Sequence, residues 1–172
     1  MKKVAVFGKL GGGKSTLSKE LAAATGIELY PLDFIEYQKN GERVPRSDYS
    51  KAHEKLINSE NWIIDGLGYL DSFWRRIDAA DTLIYVDLPY YVHYWWVTKR
   101  LIKSVIVKPE GWPDGSSVLK GTLAGWKYLR LSPKFWTPEL YRKLQESSEN
   151  KTLYCIRSIS ELNAFVSKHA KR

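Results

Sequence analysis

The sequence predicts an α/β fold built on a five-stranded parallel sheet with helices on both faces. Short apolar runs alternate along the chain with longer segments whose apolar residues recur at helical spacing. The run 82–88 is almost continuously apolar, as expected for a central parallel strand that is covered on both faces. The first run, 4–7, breaks into glycine and re-emerges as a helix, which gives a strand, loop and helix in succession.

The loop after the first strand has the spacing of a phosphate-binding loop. Gly8, Gly13, Lys14 and Ser15 satisfy the pattern G-x-x-x-x-G-K-[ST]. Residues without a Cβ let backbone N–H groups wrap a phosphate chain, the lysine adds a point charge between the β- and γ-phosphates, and the hydroxyl binds Mg²⁺. The alternative is a glycine-rich turn that happens to contain Lys-Ser.

We therefore predict a nucleoside triphosphate, taken as ATP, and Mg²⁺ as the ligands of this loop. The helix that follows directs its positive N-terminal end at the anion. Lys14 is also the first catalytic candidate. The residues expected to bind the nucleotide here are Gly8, Gly11, Gly12, Gly13, Lys14, Ser15 and Thr16.

The bulk composition predicts a cytoplasmic protein with one domain, 1–172. No run approaches the length that crosses a bilayer, so no membrane partner is expected. The single cysteine cannot form an internal disulfide, and the three histidines lie too far apart for metal-ligand spacing. The net charge of +8 suits a nucleic acid or a site for several phosphates. We favour phosphates, because the basic residues are dispersed along the chain.

The second strand, 27–32, ends at a candidate catalytic carboxylate. The first helix runs to about residue 25, where Gly26 supplies a left-handed stop. Asp33 then falls at the carboxyl end of the second strand, the edge where open α/β sheets place their ligands. It is the best candidate to orient or deprotonate an acceptor hydroxyl. Its alternative role is a helix N-cap.

The segment 36–60 is a candidate insertion that closes over a second substrate. Its first part is polar and contains glycine and proline, as in a mobile loop. Arg43 and Arg46 lie there, either to reach an anion or as ordinary exposed arginines. The second part, 47–59, has the period of a helix. The residues expected on one face of that helix are Tyr49, Ala52, Leu56 and Ile57.

Two further strand ends carry candidate ligands. The third strand, 61–66, ends in Asp65, which would hold the water shell of Mg²⁺ or, alternatively, act as a turn aspartate before glycine. The fifth strand, 151–156, is followed by Arg157, which would stack on a nucleobase.

Pro89 ends the fourth strand, and a long helix is predicted over 90–107. Arg100 on this helix would neutralise charge that spreads over the γ-phosphoryl group. The alternative is a solvated helix face that favours cations near its C-terminus. The residues that keep the apolar helical period are Tyr91, Trp95, Ile102 and Val105.

The segment 108–135 is the candidate lid. Two prolines, two glycines and two serines exclude a long regular element over 108–120. Helices are predicted over 122–131 and 137–145. The aromatic residues of this part belong to the core or, alternatively, form a wall for a planar ring. A capping box, Ser158-Ile-Ser-Glu161, opens the last helix.

The order of these elements resembles the small P-loop kinases of the nucleoside-monophosphate-kinase superfamily. Trp62-Ile-Ile-Asp-Gly66 is similar to the adenylate-kinase segment that ends strand three in Asp-Gly. Ile84-Tyr-Val-Asp-Leu-Pro89, with Lys99-Arg100 after it, is similar to the strand-four segment. With Leu32-Asp33, these segments look closest to the adenylate-kinase-like proteins of the DNA-topology-modulation type, over nearly the whole chain.

The resemblance implies a three-layer P-loop NTPase fold with strand order 2-3-1-4-5 and a small lid. It implies that Asp65 lies beside the phosphate loop and shares the phosphate and Mg²⁺ roles with Lys14 and Ser15. It also implies that Arg100 is the lid-side arginine. Adenylate kinases place an arginine three residues after the Asp-Gly glycine, where this chain has Tyr69.

Three functions are compatible with these features. The favoured one is a kinase that moves the γ-phosphoryl group of ATP to a small acceptor, whether a nucleotide, a nucleoside or another hydroxyl compound. The second is an NTPase that acts with a nucleic-acid or protein partner, and the third is a nucleotide-binding protein with little turnover. A saturable small acceptor distinguishes the first from the other two. The sequence does not distinguish ATP from GTP.

Overall fold

The computed structural model describes residues 1–38, 42–104 and 118–169. Five strands form its centre: β1 (Lys3–Gly8), β2 (Leu29–Pro31), β3 (Trp62–Asp65), β4 (Thr82–Val86) and β5 (Thr152–Ile156). They form one sheet in the order β2-β3-β1-β4-β5, and every neighbouring pair is parallel. The predicted fold class and strand order are confirmed.

Helices connect the strands and lie on both faces of the sheet. Within the described residues they are α1 (Lys14–Thr25), α2 (Asp33–Glu36), α3 (Arg46–Ile57), α4 (Leu70–Ala79), α5 (Tyr90–Ser104), α6 (Val118–Leu131), α7 (Pro138–Glu146) and α8 (Ile159–His169), with a short 3₁₀ helix at Ser132–Lys134. None of these is both long and apolar enough to cross a bilayer. Positions 108–117 of the predicted loop 108–120 lie outside the described residues, as do Val105 and positions 39–41 of the predicted insertion. For positions 118–120 the loop prediction is wrong, because they form the first turn of α6.

Alternating side chains of the strands form two cores, one on each face of the sheet. On one face, Phe7, Ile64 and Tyr85 belong to a core that α3, α4 and α7 complete. On the other face, Val6 and Ile84 belong to a core that α1 and α8 complete. Each such side chain contributes about 1.5–3 kcal/mol when it is fully buried. Burial on both faces explains why the central strands are continuously apolar.

The register of the strands brings their carboxyl ends together at one edge. Val6 of β1 pairs with Asp65 of β3, and Pro31 of β2 pairs with the same Asp65. Gly8, the last residue of β1, pairs with Val86 of β4. The loop after β1 and the carboxylates after β2 and β3 therefore meet at this edge, as expected for an open α/β sheet.

Gly8 cannot carry a side chain in this fold, and we expect Gly8→Ala to destabilise it by about 3 kcal/mol. Its φ is 144°, and an added Cβ would overlap the carbonyl oxygen of Val86. Gly26 is a matched control, because its φ is 71° and no atom lies within 4 Å of an added Cβ. Gly26→Ala should cost about 1 kcal/mol, the conformational penalty alone. Urea denaturation measures the free energy of unfolding of both variants. Equal losses in Gly8→Ala and Gly26→Ala would contradict the packing argument.

The buried face of α3 differs from the predicted one by one position. Tyr49 and Ile57 are buried as predicted, but Ala52 is exposed and His53 is only 1% exposed. Residues 49, 53 and 57 are spaced four apart, so they share one side of the helix and leave Ala52 at its rim. The imidazole stacks on the Tyr49 ring, with 5.8 Å between the centroids.

The predicted apolar period of α5 marks the exposed side of that helix, not its packed side. Tyr91, Trp95 and Ile102 are 74%, 58% and 58% exposed. The helix packs through its opposite side, whose buried residues are Val92, His93 and Val97. The reason is that α5 is apolar on two sides, so the helical period of one side does not decide which side is buried.

Candidate nucleotide-binding site

The loop between β1 and α1 contains glycines that are constrained by their backbone conformation and by the side chains of α5 that pack against them. Gly11 and Gly13 have φ values of 70° and 76°, which L side chains rarely adopt. An added Cβ at each glycine would also lie 2.7–2.9 Å from a side chain of α5. The contacts would be Val97 for Gly11, His93 for Gly12 and Trp96 for Gly13. The glycines are therefore required both for the turn and for the close packing of α5 on the loop.

Lys14 opens α1 at the point where the predicted charged residues converge. Its ammonium donates to the Lys9 carbonyl of the same loop at 2.7 Å. Burial lowers the pKa of Lys14, Asp65 and Asp33 raise it, and the charge of Arg100 lowers it. Three residues from β3, α2 and α5 thus act electrostatically on this one lysine, although they are far apart in the sequence.

Ser15 and Asp65 meet beside Lys14 and fit the needs of Mg²⁺. Asp65 is 6% exposed, and its Oδ1 has no hydrogen-bond partner among the described residues. Burial raises the pKa of this carboxyl, while the charge of Lys14 and a hydrogen bond with Ser15 lower it. A buried carboxylate oxygen without a partner is costly unless a cation satisfies it.

No group of three acidic, histidine or cysteine side chains that could enclose a metal ion occurs within the described ranges. Mg²⁺ does not need one, because it takes one or two protein oxygens and completes its shell with phosphate and water. Ser15 and Asp65 supply that number of protein oxygens. When bound there, the ion would neutralise charge on the phosphate oxygens.

Asp33 is the first residue of α2, not its N-cap, which is Leu32. Its side chain is exposed at the same edge of the sheet as the loop. It also acts on Glu36, one turn further along α2, whose carboxyl pairs with Arg43 at 3.2 Å. Asp33 is therefore accessible from solvent while it remains within electrostatic reach of Lys14.

The two arginines of the predicted insertion are already paired with acidic residues. Arg43 lies beside Glu36 and donates to the Tyr37 hydroxyl at 3.2 Å. Arg46 pairs with Asp71 at 2.9 Å and lies over the Tyr69 ring, 4.8 Å from its centroid. Arg46 thus contacts Tyr69, at the position where the predicted resemblance to adenylate kinases expects an arginine.

Lys9 anchors the loop to the start of α5, a role that the motif does not reveal. It is 4% exposed, forms an ion pair with Asp87, and lies 4.8 Å from the centroid of the Tyr90 ring. Its ammonium also lies 3.4 Å from the Leu88 carbonyl oxygen. Lys9 is therefore held by protein partners, which leaves Lys14 as the loop lysine predicted to contact a ligand.

His93 bridges the loop and the end of β4 from a fully buried position. Its Nδ1 lies 2.8 Å from the Leu10 carbonyl oxygen, and its Nε2 lies 3.1 Å from the Leu88 carbonyl oxygen. Burial lowers the pKa of His93 to about 4. A neutral imidazole donates through one nitrogen only, so at pH 7 one of the two carbonyls lacks this donor.

We expect the free energy of unfolding to fall as the pH drops from about 6.5 to about 4. Burial lowers the pKa of His53, like that of His93, from the ordinary 6.5 to about 4. In this window the unfolded chain binds protons that the folded chain does not, so acid favours unfolding. Each histidine should contribute roughly 2 kcal/mol of lost stability between pH 7 and pH 5. Urea denaturation at pH 7 and at pH 5 measures this loss of stability. The loss should be smaller by roughly 2 kcal/mol in His53→Gln than in the parent protein. An equal loss in the two proteins would contradict the assignment to His53.

Arg76 supports the loop that follows Asp65. It is fully buried on α4, and its Nη2 donates to the carbonyls of Gly66 and Leu67 at 2.8 and 3.0 Å. Burial lowers the pKa of Arg76 to about 10, while Tyr49 and Asp65 raise it. The sequence shows two adjacent arginines, Arg75 and Arg76, and no signal that distinguishes the buried one.

Arg157 lies after β5 at the same edge of the sheet, but its side chain has protein partners. Its guanidinium lies over the Tyr141 ring, 5.0 Å from the centroid, and it forms a side-chain hydrogen bond with Cys155. The backbone N–H of Arg157 donates to the Glu161 carboxylate at 2.8 Å. The side chain is also exposed, and its contact with a nucleobase stays a prediction.

Comparisons with known proteins match the fold and not the sequence. Neither a family model nor a curated protein sequence matches the chain. A shikimate kinase from Acinetobacter baumannii, in complex with shikimate, matches with a TM-score of 0.61 at 13% identity, over 98% of this chain and 90% of that one. A shikimate kinase from Bacteroides thetaiotaomicron matches with a TM-score of 0.55 at 14% identity, over 96% and 94%. An unliganded sugar kinase from Janibacter sp. matches with 0.52 at 16%, over 98% and 91%.

These identities establish the fold alone. The chain has the three-layer α/β fold of these solved structures, with the strand order 2-3-1-4-5. The closer likeness to adenylate-kinase-like and DNA-topology-modulation proteins stays a prediction.

Proposed function

We propose that this protein is a Mg²⁺-dependent phosphotransferase that moves the γ-phosphoryl group of ATP to a hydroxyl group of a small acceptor. The observation that carries the proposal is the convergence of Asp33, Asp65 and Arg100 on Lys14. The glycine loop around Lys14 would hold the phosphates. Such an arrangement suits phosphoryl transfer, which depends mainly on positioning and on electrostatic stabilisation.

Each residue has a distinct role in this proposal. Lys14 would contact the β- and γ-phosphates, and Ser15 and Asp65 would hold Mg²⁺. Arg100, on the same side of α5 as the loop contacts, would stabilise charge on the transferred group. Thr16 and Arg157 would also contact the nucleotide, as the sequence predicts.

Asp33 would act on the acceptor. Its exposed carboxylate lies at the carboxyl end of the sheet, where it can accept a hydrogen bond from an incoming hydroxyl and orient it. The fold neighbours support a small acceptor, because their names are those of kinases of shikimate and of sugar. The chain's own acceptor is not identified by that likeness.

ATP turnover with Mg²⁺ against a panel of candidate acceptors tests the proposal. The panel contains nucleosides, nucleoside monophosphates and small hydroxyl compounds, with duplex DNA assayed in parallel at physiological salt, where weak basic attraction is screened. We expect one small compound to raise ADP formation saturably. Stimulation by DNA alone would overturn the proposal in favour of an NTPase with a nucleic-acid partner.

A further inference from the structure

The side of α5 that faces away from the phosphate loop is apolar and exposed. Tyr91, Trp95 and Ile102 are each more than half exposed. At 100° per residue they lie within about 40° of one another around the helix, so they form one stripe. The loop contacts of α5 come from the opposite side, through His93 and Val97. The stripe is therefore not part of the site described above.

Helix α6 packs against α5, with Gly125 beside Val97, and exposes apolar side chains of its own. Leu123 and Leu131 are 51% and 48% exposed. Between the two helices lies a hollow of about 550 Å³. Its lining combines apolar and basic side chains: Tyr94, Trp126, Lys127, Arg130 and Leu131. We call the stripe, the two leucines and this lining the outer α5–α6 surface.

Among the described residues, α5, α6 and the turn after α6 carry charge of one sign. Within the described positions 88–104 and 118–137 there is no aspartate or glutamate. The same positions contain seven basic residues: Lys99, Arg100, Lys103, Lys120, Lys127, Arg130 and Lys134. Arg100 faces the loop, and of the others Lys99, Lys103, Lys127, Arg130 and Lys134 are exposed. A partner that covers the apolar side chains must therefore carry negative charge.

The sequence-based expectation of no membrane partner concerns a spanning segment, and α5 and α6 do not span a bilayer. We propose that the outer α5–α6 surface docks peripherally on an anionic lipid bilayer. Exposed tryptophan, tyrosine and aliphatic side chains flanked by lysine and arginine are the composition that lies in a membrane interface. A nucleic acid would use the rings and the cations but would leave Ile102, Leu123 and Leu131 without a partner. A second copy of the chain would place like charges against each other. The bilayer is the occupant that matches both the aliphatic groups and the uniform charge.

This docking is peripheral and leaves the nucleotide site accessible. The stripe and the loop contacts lie on opposite sides of α5, so the bilayer would cover the first without covering the second. Lipid binding therefore does not require turnover, and its test is independent of the proposed phosphotransferase activity.

Co-sedimentation with lipid vesicles tests the proposal. The intact chain is mixed with vesicles of phosphatidylcholine alone or of phosphatidylcholine with phosphatidylglycerol. We expect the protein to bind the anionic vesicles only, and we expect the bound fraction to fall as the salt concentration rises. The double variant Trp95→Glu, Ile102→Glu should bind at least about tenfold more weakly. Leu70→Glu, on α4 against the other core, is a matched control because Leu70 is 55% exposed, and it should bind like the parent protein.

Circular dichroism and size-exclusion chromatography of all three proteins show whether the variants remain folded and monomeric. Because the substituted side chains are exposed, we expect the variants to fold. A parent dimer that the double variant dissociates would overturn the proposal in favour of a second copy. Equal binding to neutral vesicles, no vesicle binding, or a stronger interaction with an oligonucleotide than with anionic vesicles would also overturn it.

Discussion

Replacing Lys14 with alanine should lower ATP turnover by at least about a hundredfold. In the structure this ammonium lies within electrostatic reach of Asp65, Asp33 and Arg100, and it belongs to the loop that would hold the phosphate chain. Its removal leaves the backbone N–H groups of the loop but no point charge between the β- and γ-phosphates. Steady-state kinetics with Mg²⁺ and ATP measure the loss.

The fold should survive the Lys14→Ala change. Burial lowers the pKa of Lys14, which means that the charged form is disfavoured in the ligand-free fold. Lys19→Ala is a matched control, because Lys19 is an exposed lysine of the same helix. It should turn over ATP within about twofold of the parent. Unchanged nucleotide binding and turnover in Lys14→Ala would refute the assignment of the loop.

Replacing Asp33 with asparagine should lower kcat by about a hundredfold to a thousandfold, with the KM for ATP near that of the parent. The change keeps the shape of the side chain but removes the charge that would orient or deprotonate an acceptor hydroxyl. Since Asp33 is exposed and begins a short helix, little packing is lost. The measurement is acceptor-dependent turnover with the compound that the panel identifies.

Glu36→Gln separates a specific role of Asp33 from a general effect of negative charge. Glu36 lies one turn further along α2 and pairs with Arg43. Its replacement should change kcat by less than about threefold, since it does not act on Lys14. If both variants lost kcat equally, or if Asp33→Asn raised the KM for ATP instead, the acceptor role of Asp33 would be wrong.

The phosphate loop and the sheet were predictable because their signals are local. Gly8, Gly13 and Lys14 form a motif whose glycines are needed for backbone geometry, and the structure shows positive φ at both glycines. The strands were predictable from continuous apolar runs. The strand order came from the resemblance, because no local signal fixes which strands are neighbours. Strand β2 is shorter than predicted, since only Leu29–Pro31 pairs with β3.

The packed side of α5 was not predictable from its own sequence. Apolar residues lie on two sides of that helix, and the buried side is chosen by the glycine loop, which is distant in the chain. The close approach of His93 and Val97 to Gly12 and Gly11 settles the choice. The helical spacing of Tyr91, Trp95 and Ile102 marks an exposed side of α5 and not its buried side.

The supporting residues of the site were missed because their partners are remote. Lys9 reads as a variable position inside the motif, and only the fold brings Asp87 to it. Arg76 is followed and preceded by ordinary helix residues, yet it is fully buried against the carbonyls after Asp65. Such contacts join residues from different elements, and a single sequence contains no periodicity that marks them.

The fate of the γ-phosphoryl group tests the central claim most directly. The protein, Mg²⁺ and ATP labelled at the γ-phosphate are incubated with the small-molecule fraction of a cell extract, and the products are separated by chromatography. The proposal predicts that label appears on a low-mass compound other than ATP, and that Lys14→Ala and Asp33→Asn both lose this product. Label found only in inorganic phosphate, at the same rate with and without the extract, would contradict it.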